Sequence, residues 1–154
     1  MLKAVIFDVD GTLVDSVDAH AKAWTEALEQ AGVDCDFASV RHQIGKGGDQ
    51  LLKEFLSDEE IERRGKELEE ARKEIFTTNY LEGIQGFPKV RELFQRLLAD
   101  KKQVVLASSA VEDELAAYKE KARTWCRTKP RRTTRRNRSR TRIFSRLRWA
   151  NSTG

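Results

Sequence analysis

The chain has 154 residues, 39% hydrophobic and 35% charged, a length that suits about one domain and a composition that excludes a protein embedded in a bilayer. Its longest apolar runs, AVIF at 4–7 and VVLA at 104–107, fall far short of the roughly 20 residues a spanning helix needs. The net charge of +4 hides a break: residues 119–154 hold 14 Lys and Arg against one acid, Glu120, while residues 1–118 hold 15 basic and 24 acidic groups.

In chain order, KAVIFDV at 3–9 is a short apolar, β-branched run closed by the polar turn DGT, which predicts a buried strand of a parallel sheet. Acidic residues interrupt this apolar start, so no secretory signal is read from it. Residues 17–31 place Val17, His20, Ala21, Trp24, Ala27, Leu28 and Ala31 at helical spacing, with Gly32 at the expected cap. Cys35 follows in a linker. It and Cys126 stand far apart with no CxxC pair, so free thiols and a cytoplasmic setting are expected. Short helices are predicted around 38–43 and 49–56, flanking the turn GKGGD at 45–49. Ser57, three residues before Glu60, opens a charged helix to about Asn79 through a capping box; no function attaches to that helix. Pro88 is expected in the first turn of the next helix, with Val90, Leu93, Phe94, Leu97 and Leu98 on one face. QVVLASSA at 103–110 is a second buried strand, and a helix begins at Glu112.

The two strands carry the chemistry. DVDGT at 8–12 puts Asp8 and Asp10 two apart at a strand's C-terminal end, the edge where open α/β sheets bind ligands. Extended backbone points both side chains the same way, and two adjacent negative charges are costly unless a cation compensates. Magnesium is the expected cation, since it prefers hard oxygen ligands and works beside phosphates. Gly11 permits the tight turn, and Thr12 adds a hydroxyl.

DVDGTLVDS, together with an apolar strand ending in Ser108 within VVLASSA, resembles the first two signature motifs of the haloacid dehalogenase superfamily. LVDSVDAHAKAW resembles the cap entry of the branch containing phosphoglycolate phosphatases and β-phosphoglucomutases. The resemblance covers about residues 1–121. It implies an α/β fold, a Rossmann-like parallel-sheet core with an inserted helical cap: 1–14 and 85–122 as partial core, 15–84 as cap. It implies a phosphohydrolase acting on a small phosphorylated metabolite, or a sugar-phosphate phosphomutase. Asp8 is then the nucleophile that forms an aspartyl-phosphate; Asp10 protonates the leaving oxygen and activates water. Asp8 and Asp10 hold Mg2+, and Thr12, Ser108 and Ser109 bind the phosphoryl oxygens. The second Asp favours phosphatase over dehalogenase chemistry. Asp15 serves the catalytic motif or caps the following helix. His20, on the apolar face of its helix, is a core histidine or a substrate contact; Lys46, between glycines, is a solvated turn lysine or reaches an anionic substrate. Arg41 and His42 are further candidates to line the cap face, whereas Trp24 is read as core.

The family's later motifs, a lysine and further acids, cannot be assigned: no acidic residue follows Glu120, and Lys129–Pro130 lies too close to Ser108. An inactive or nearly inactive polypeptide is therefore expected. Residues 123–154 show no helical or strand periodicity and are expected to be disordered by themselves. A shift of reading frame near Arg123 accounts for both the charge break and the missing motifs. Back-translating from Thr124 in the shifted frame permits LVQNEATSDDAEESKPDPDIFEAALG, which resembles the family's third-motif region. The rival is a genuine Arg-rich arm that neutralises nucleic-acid phosphates, with Trp125, Phe144 and Trp149 stacking on bases.

Overall fold

The computed structural model describes residues 2–108, Glu114, Ala117, Tyr118, Glu120 and 147–151. These fall into two compact units, Met1–Asp15 with Gly86–Gly154, and Ser16–Gln85. The architecture is the expected α/β arrangement of a parallel sheet and an inserted helical segment. No helix among the described residues is long and apolar enough to cross a membrane.

The first unit holds a parallel sheet of order β1-β2-β3, with β1 at Ala4–Asp8, β2 at Gln103–Ser108 and β3 at Leu147–Asn151. In register, Val5 lies opposite Val104 and Phe7 opposite Leu106. Val104 and Leu106 are buried, and the Phe7 ring meets Phe94 at 5.6 Å. Phe94 belongs to helix α5, Val90–Ala99, which therefore covers that face. The alternate position, Ile6, is 69% exposed, so β1 is covered on one face and is not the buried strand its apolar run predicts.

Two further details differ from the sequence expectation. Helix α5 starts at Val90 and not at Pro88, because Lys89 takes a left-handed conformation at φ +72° and separates proline from helix. The tail, read as lacking any strand pattern, contributes β3, pairing Val104 with Leu147 through Ser108 with Asn151. The reason lies in the backbone: the edge of β2 offers a row of peptide groups that any non-proline segment can satisfy. Residues 123–146 and 152–154, the rest of the predicted disordered tail, lie outside the described residues.

The second unit is helical: α1 at Val17–Gln30, α2 at Phe37–Gln43, α3 at Gly48–Leu52 and α4 at Asp58–Ile75. Each boundary has a local cause. After α1, Gly32 sits at φ +74°, Val33 N–H donates to Leu28 O at 2.9 Å, and Gly32 N–H donates to Glu29 O at 2.9 Å. That is the paired bonding of a Schellman cap, in which only glycine adopts the left-handed position without strain. Leu28 and Val33 then meet in the apolar cluster with Trp24, Val40, Leu51, Leu52, Leu56 and Leu68. Asp36 caps α2 by accepting from Ser39 N–H at 3.0 Å. The predicted capping box opens α4: Glu60 accepts from Ser57 N–H at 3.1 Å, and Ser57 Oγ accepts from Glu60 N–H at 3.4 Å. Where the sequence predicted helix to about Asn79, α4 ends at Ile75 and passes through a π-helical turn, Phe76–Tyr80. The N-cap position of α1 is Ser16, one residue after Asp15, and its side chain makes no cap hydrogen bond.

Candidate functional site

The site lies in the first unit, at the C-terminal ends of β1 and β2. Parallel pairing sets Asp8 opposite Ala107, so the chain leaves both strands on the same edge, with Ser108 next to Ala107. Past Asp8 the backbone turns sharply. Leu13 N–H and Val14 N–H donate to Val9 O at 2.8 and 3.1 Å, and Gly11, at φ +68°, donates to Val14 O at 3.0 Å. Val9, Leu13 and Val14 are buried, and Phe87 N–H donates to Leu13 O at 2.9 Å. Apolar anchors thus fix a turn whose polar residues, Asp10 and Thr12, stay near the sheet edge.

Asp8 is exposed and accepts from Thr12 Oγ1 at 3.4 Å. Asp10 is half-buried. Its Oδ1 accepts from the Tyr118 hydroxyl at 2.7 Å, and its Oδ2 accepts from Ser108 Oγ at 3.5 Å. Ser108 is buried, as is Glu114, one helical turn before Tyr118. Asp8, Asp10, Thr12 and Ser108 are therefore brought together, while Ser109 lies outside the described residues. Sequence reasoning missed Tyr118. It falls in the helix predicted from Glu112, but nothing local tied that helix to Asp10.

The donors at this edge are all oxygens, carboxylate, hydroxyl and backbone carbonyl. That set fits a hard dication such as Mg2+, which is commonly bound by one or two carboxylates and keeps several waters. Among the described residues no group of three His, Cys, Asp or Glu is placed to hold a metal ion.

The other candidates belong to the helical unit. His20 stacks on Phe76, ring centroids 4.0 Å apart and nearly parallel; Phe76 is fully buried. Lys46 pairs with Glu54 at 3.0 Å. Arg41 pairs with Asp18 at 2.6 Å, and His42 is exposed. Trp24 is buried, with the Arg72 guanidinium 5.6 Å from its ring centroid. Cys35 is free, and burial, then Glu29, Asp34 and Asp36, push its thiol above the ordinary range, the wrong direction for a nucleophilic thiolate.

A parallel sheet with paired aspartates at the end of its first strand and a serine at the end of its second defines an α/β enzyme class, and the comparisons say which. The profile of the haloacid dehalogenase-like hydrolases matches residues 2–124. The chain belongs to the haloacid dehalogenase-like hydrolase family. It is 32% identical over 108 residues, 64% of the chain, to the plasmid CbbY protein of Cupriavidus necator. It is similar in fold to a hydrolase from Pseudomonas syringae, with TM-score 0.68 and 21% identity over 97% of the chain. It is likewise similar to CbbY from Rhodobacter sphaeroides in complex with phosphate, with TM-score 0.61 and 22% identity over 79% of the chain. The chain spans 42% of the Cupriavidus protein, 59% of the Pseudomonas chain and 57% of the Rhodobacter chain.

Proposed function

We propose that this chain carries the nucleophilic half of a magnesium-dependent phosphomonoesterase, with Ser16–Gln85 as its cap. The observation that carries the reading is the convergence of Asp8, Asp10 and Ser108 at one edge of a parallel sheet. Asp8, the more exposed carboxylate, attacks phosphorus. Asp10 gives its proton to the departing oxygen, and Thr12 and Ser108 donate hydroxyls to the phosphoryl oxygens. Magnesium held by the Asp8 carboxylate and the Asp10 backbone carbonyl supplies charge neutralisation at the transferring group when bound. The substrate class is a small sugar phosphate. Support comes from the CbbY relative and from the Rhodobacter CbbY structure in complex with xylulose-(1,5)bisphosphate.

The family match ends at residue 124, beside the point where the acidic residues stop. This supports the reading that residues after Arg123 are translated out of frame. With no lysine or later acids assignable there, turnover by this chain falls to background while Asp8 keeps its reactivity.

The test incubates the full chain with Mg2+ and radiolabelled acetyl phosphate. The expected result is slow, stoichiometric labelling that Asp8→Asn abolishes, without sustained hydrolysis of an aryl phosphate. Label that survives Asp8→Asn refutes the nucleophile, and sustained turnover that depends on Asp8 refutes the inactivity.

A further inference from the structure

Tyr118 is fully buried, and its hydroxyl donates to Asp10 Oδ1 at 2.7 Å. That length is typical of a strong hydroxyl–carboxylate bond, whereas the 3.5 Å approach of Ser108 Oγ to Oδ2 is at the limit of one. The two residues arrive from different places. Asp10 sits in the turn after β1, and Tyr118 follows β2 by ten positions, in helical conformation. The bond therefore joins the paired-aspartate turn to the helix beyond the serine strand. A buried phenol needs an acceptor, and here the acceptor is the carboxylate assigned above to proton transfer.

We propose that Tyr118 is a positioning residue that fixes the orientation of the Asp10 carboxylate; this rests on the acid role of Asp10 proposed above. With Oδ1 tied to Tyr118, the carboxylate plane is set and Oδ2 is turned toward the strand edge where Ser108 stands. Oδ2 is then the oxygen that carries the proton. As the bond from Asp8 oxygen to phosphorus forms and the bond from phosphorus to the leaving oxygen breaks, that proton passes from Asp10 Oδ2 to the leaving oxygen. Tyr118 keeps its own proton throughout.

The role has a signature in the leaving group. Acetate departs from acetyl phosphate without needing a proton, while phenolate departing from phenyl phosphate benefits from one. In the full chain with Mg2+, single-turnover labelling of Asp8 by phenyl phosphate is expected to slow about tenfold in Tyr118→Phe, the upper value of one neutral hydrogen bond. Labelling by acetyl phosphate stays unchanged. In an Asp10→Ala background, Tyr118→Phe has no further effect on either donor. Equal slowing with both donors, or undiminished slowing in Asp10→Ala, overturns the positioning role while leaving Asp8 as the nucleophile. Absence of Asp8-dependent label from both donors in the unmodified chain removes the parent reading and this one with it. Should Tyr118→Phe fail to fold by circular dichroism, 3-fluorotyrosine at position 118 keeps the ring and alters the donor. A shift confined to phenyl phosphate supports the proposal, and no donor-selective shift overturns it.

Discussion

Truncating Leu28 to alanine tests how the helical unit is held. Leu28 is fully buried in the apolar cluster, and its carbonyl accepts from Val33 in the cap of α1. Leu28→Ala removes three carbons, about 2.4 kcal/mol of transfer free energy at about 0.8 kcal/mol each. The cavity adds about 1 to 2 kcal/mol, because neighbours on α1, α2, α3 and α4 are each anchored by their own caps and turns and cannot all collapse inward. The sum is about 4 kcal/mol. At roughly 0.1 kcal/mol per residue, a unit of this length has about 7 kcal/mol in total, so the variant stays folded with its unfolding midpoint near half. Urea titration followed by helical circular dichroism measures this directly. The same truncation at Leu93, 41% exposed, is expected to cost under about 1 kcal/mol. A Leu28→Ala loss as small as that of Leu93→Ala would refute the view that this cluster is the core of the unit.

Two further predictions concern pH. The Tyr80 hydroxyl donates to Glu26, and that bond, then burial and the carboxylate charge, push its pKa from 10.0 up to about 12. Because the folded value is raised, the bond's stabilisation is complete below pH 10 and lost as pH rises through about 12. Phenolate absorbance is expected to show one tyrosine titrating near 12, and Glu26→Gln to bring it down. At α4, hydrogen bonds from the Ser57 amide and then its hydroxyl hold the Glu60 carboxyl below its ordinary 4.5. A lowered folded value means the contribution is present above 4.5 and lost as pH falls through the folded pKa. Glu60→Gln, which removes the titrating carboxyl, should therefore flatten the acid limb of the stability profile, measured by thermal unfolding at stepped pH; an unchanged limb would sink the assignment.

The parts of this molecule that were legible in its sequence are those determined by near neighbours. AVIFD and QVVLAS are apolar runs bounded by turns, and both are strands. Ser57 and Glu60 sit three apart and form their capping box, while Gly32 marks the end of α1 through its own backbone freedom. Lys89 was not legible, since the left-handed conformation it adopts is one that its side chain does not favour. The π-helical turn at Phe76 was not legible either, because the residues FTTNY continue a helical pattern and only the packing of Phe76 against His20 marks the spot. In the site, Asp8, Asp10 and Ser108 were readable from two short motifs. Tyr118 was not, because its meaning lies in a contact spanning 108 positions of sequence.

The strand β3 shows how pairing and composition separate. A parallel ladder is built from peptide groups, which are the same in every non-proline residue, so registry with β2 carries little information about whether a segment's side chains suit the sheet. Side chains impose a stricter condition. Strands of a parallel sheet covered on both faces are continuous apolar runs, as VVLA and AVIF are, whereas β3 reads LRWAN with an arginine at its second position. The backbone of residues 147–151 thus meets the demand of the β2 edge while their sequence does not meet the demand of a covered sheet. Residues 2–124 carry the family match, and at the edge of β1 and β2 within them Asp8 is exposed while Asp10 accepts a hydrogen bond from Tyr118.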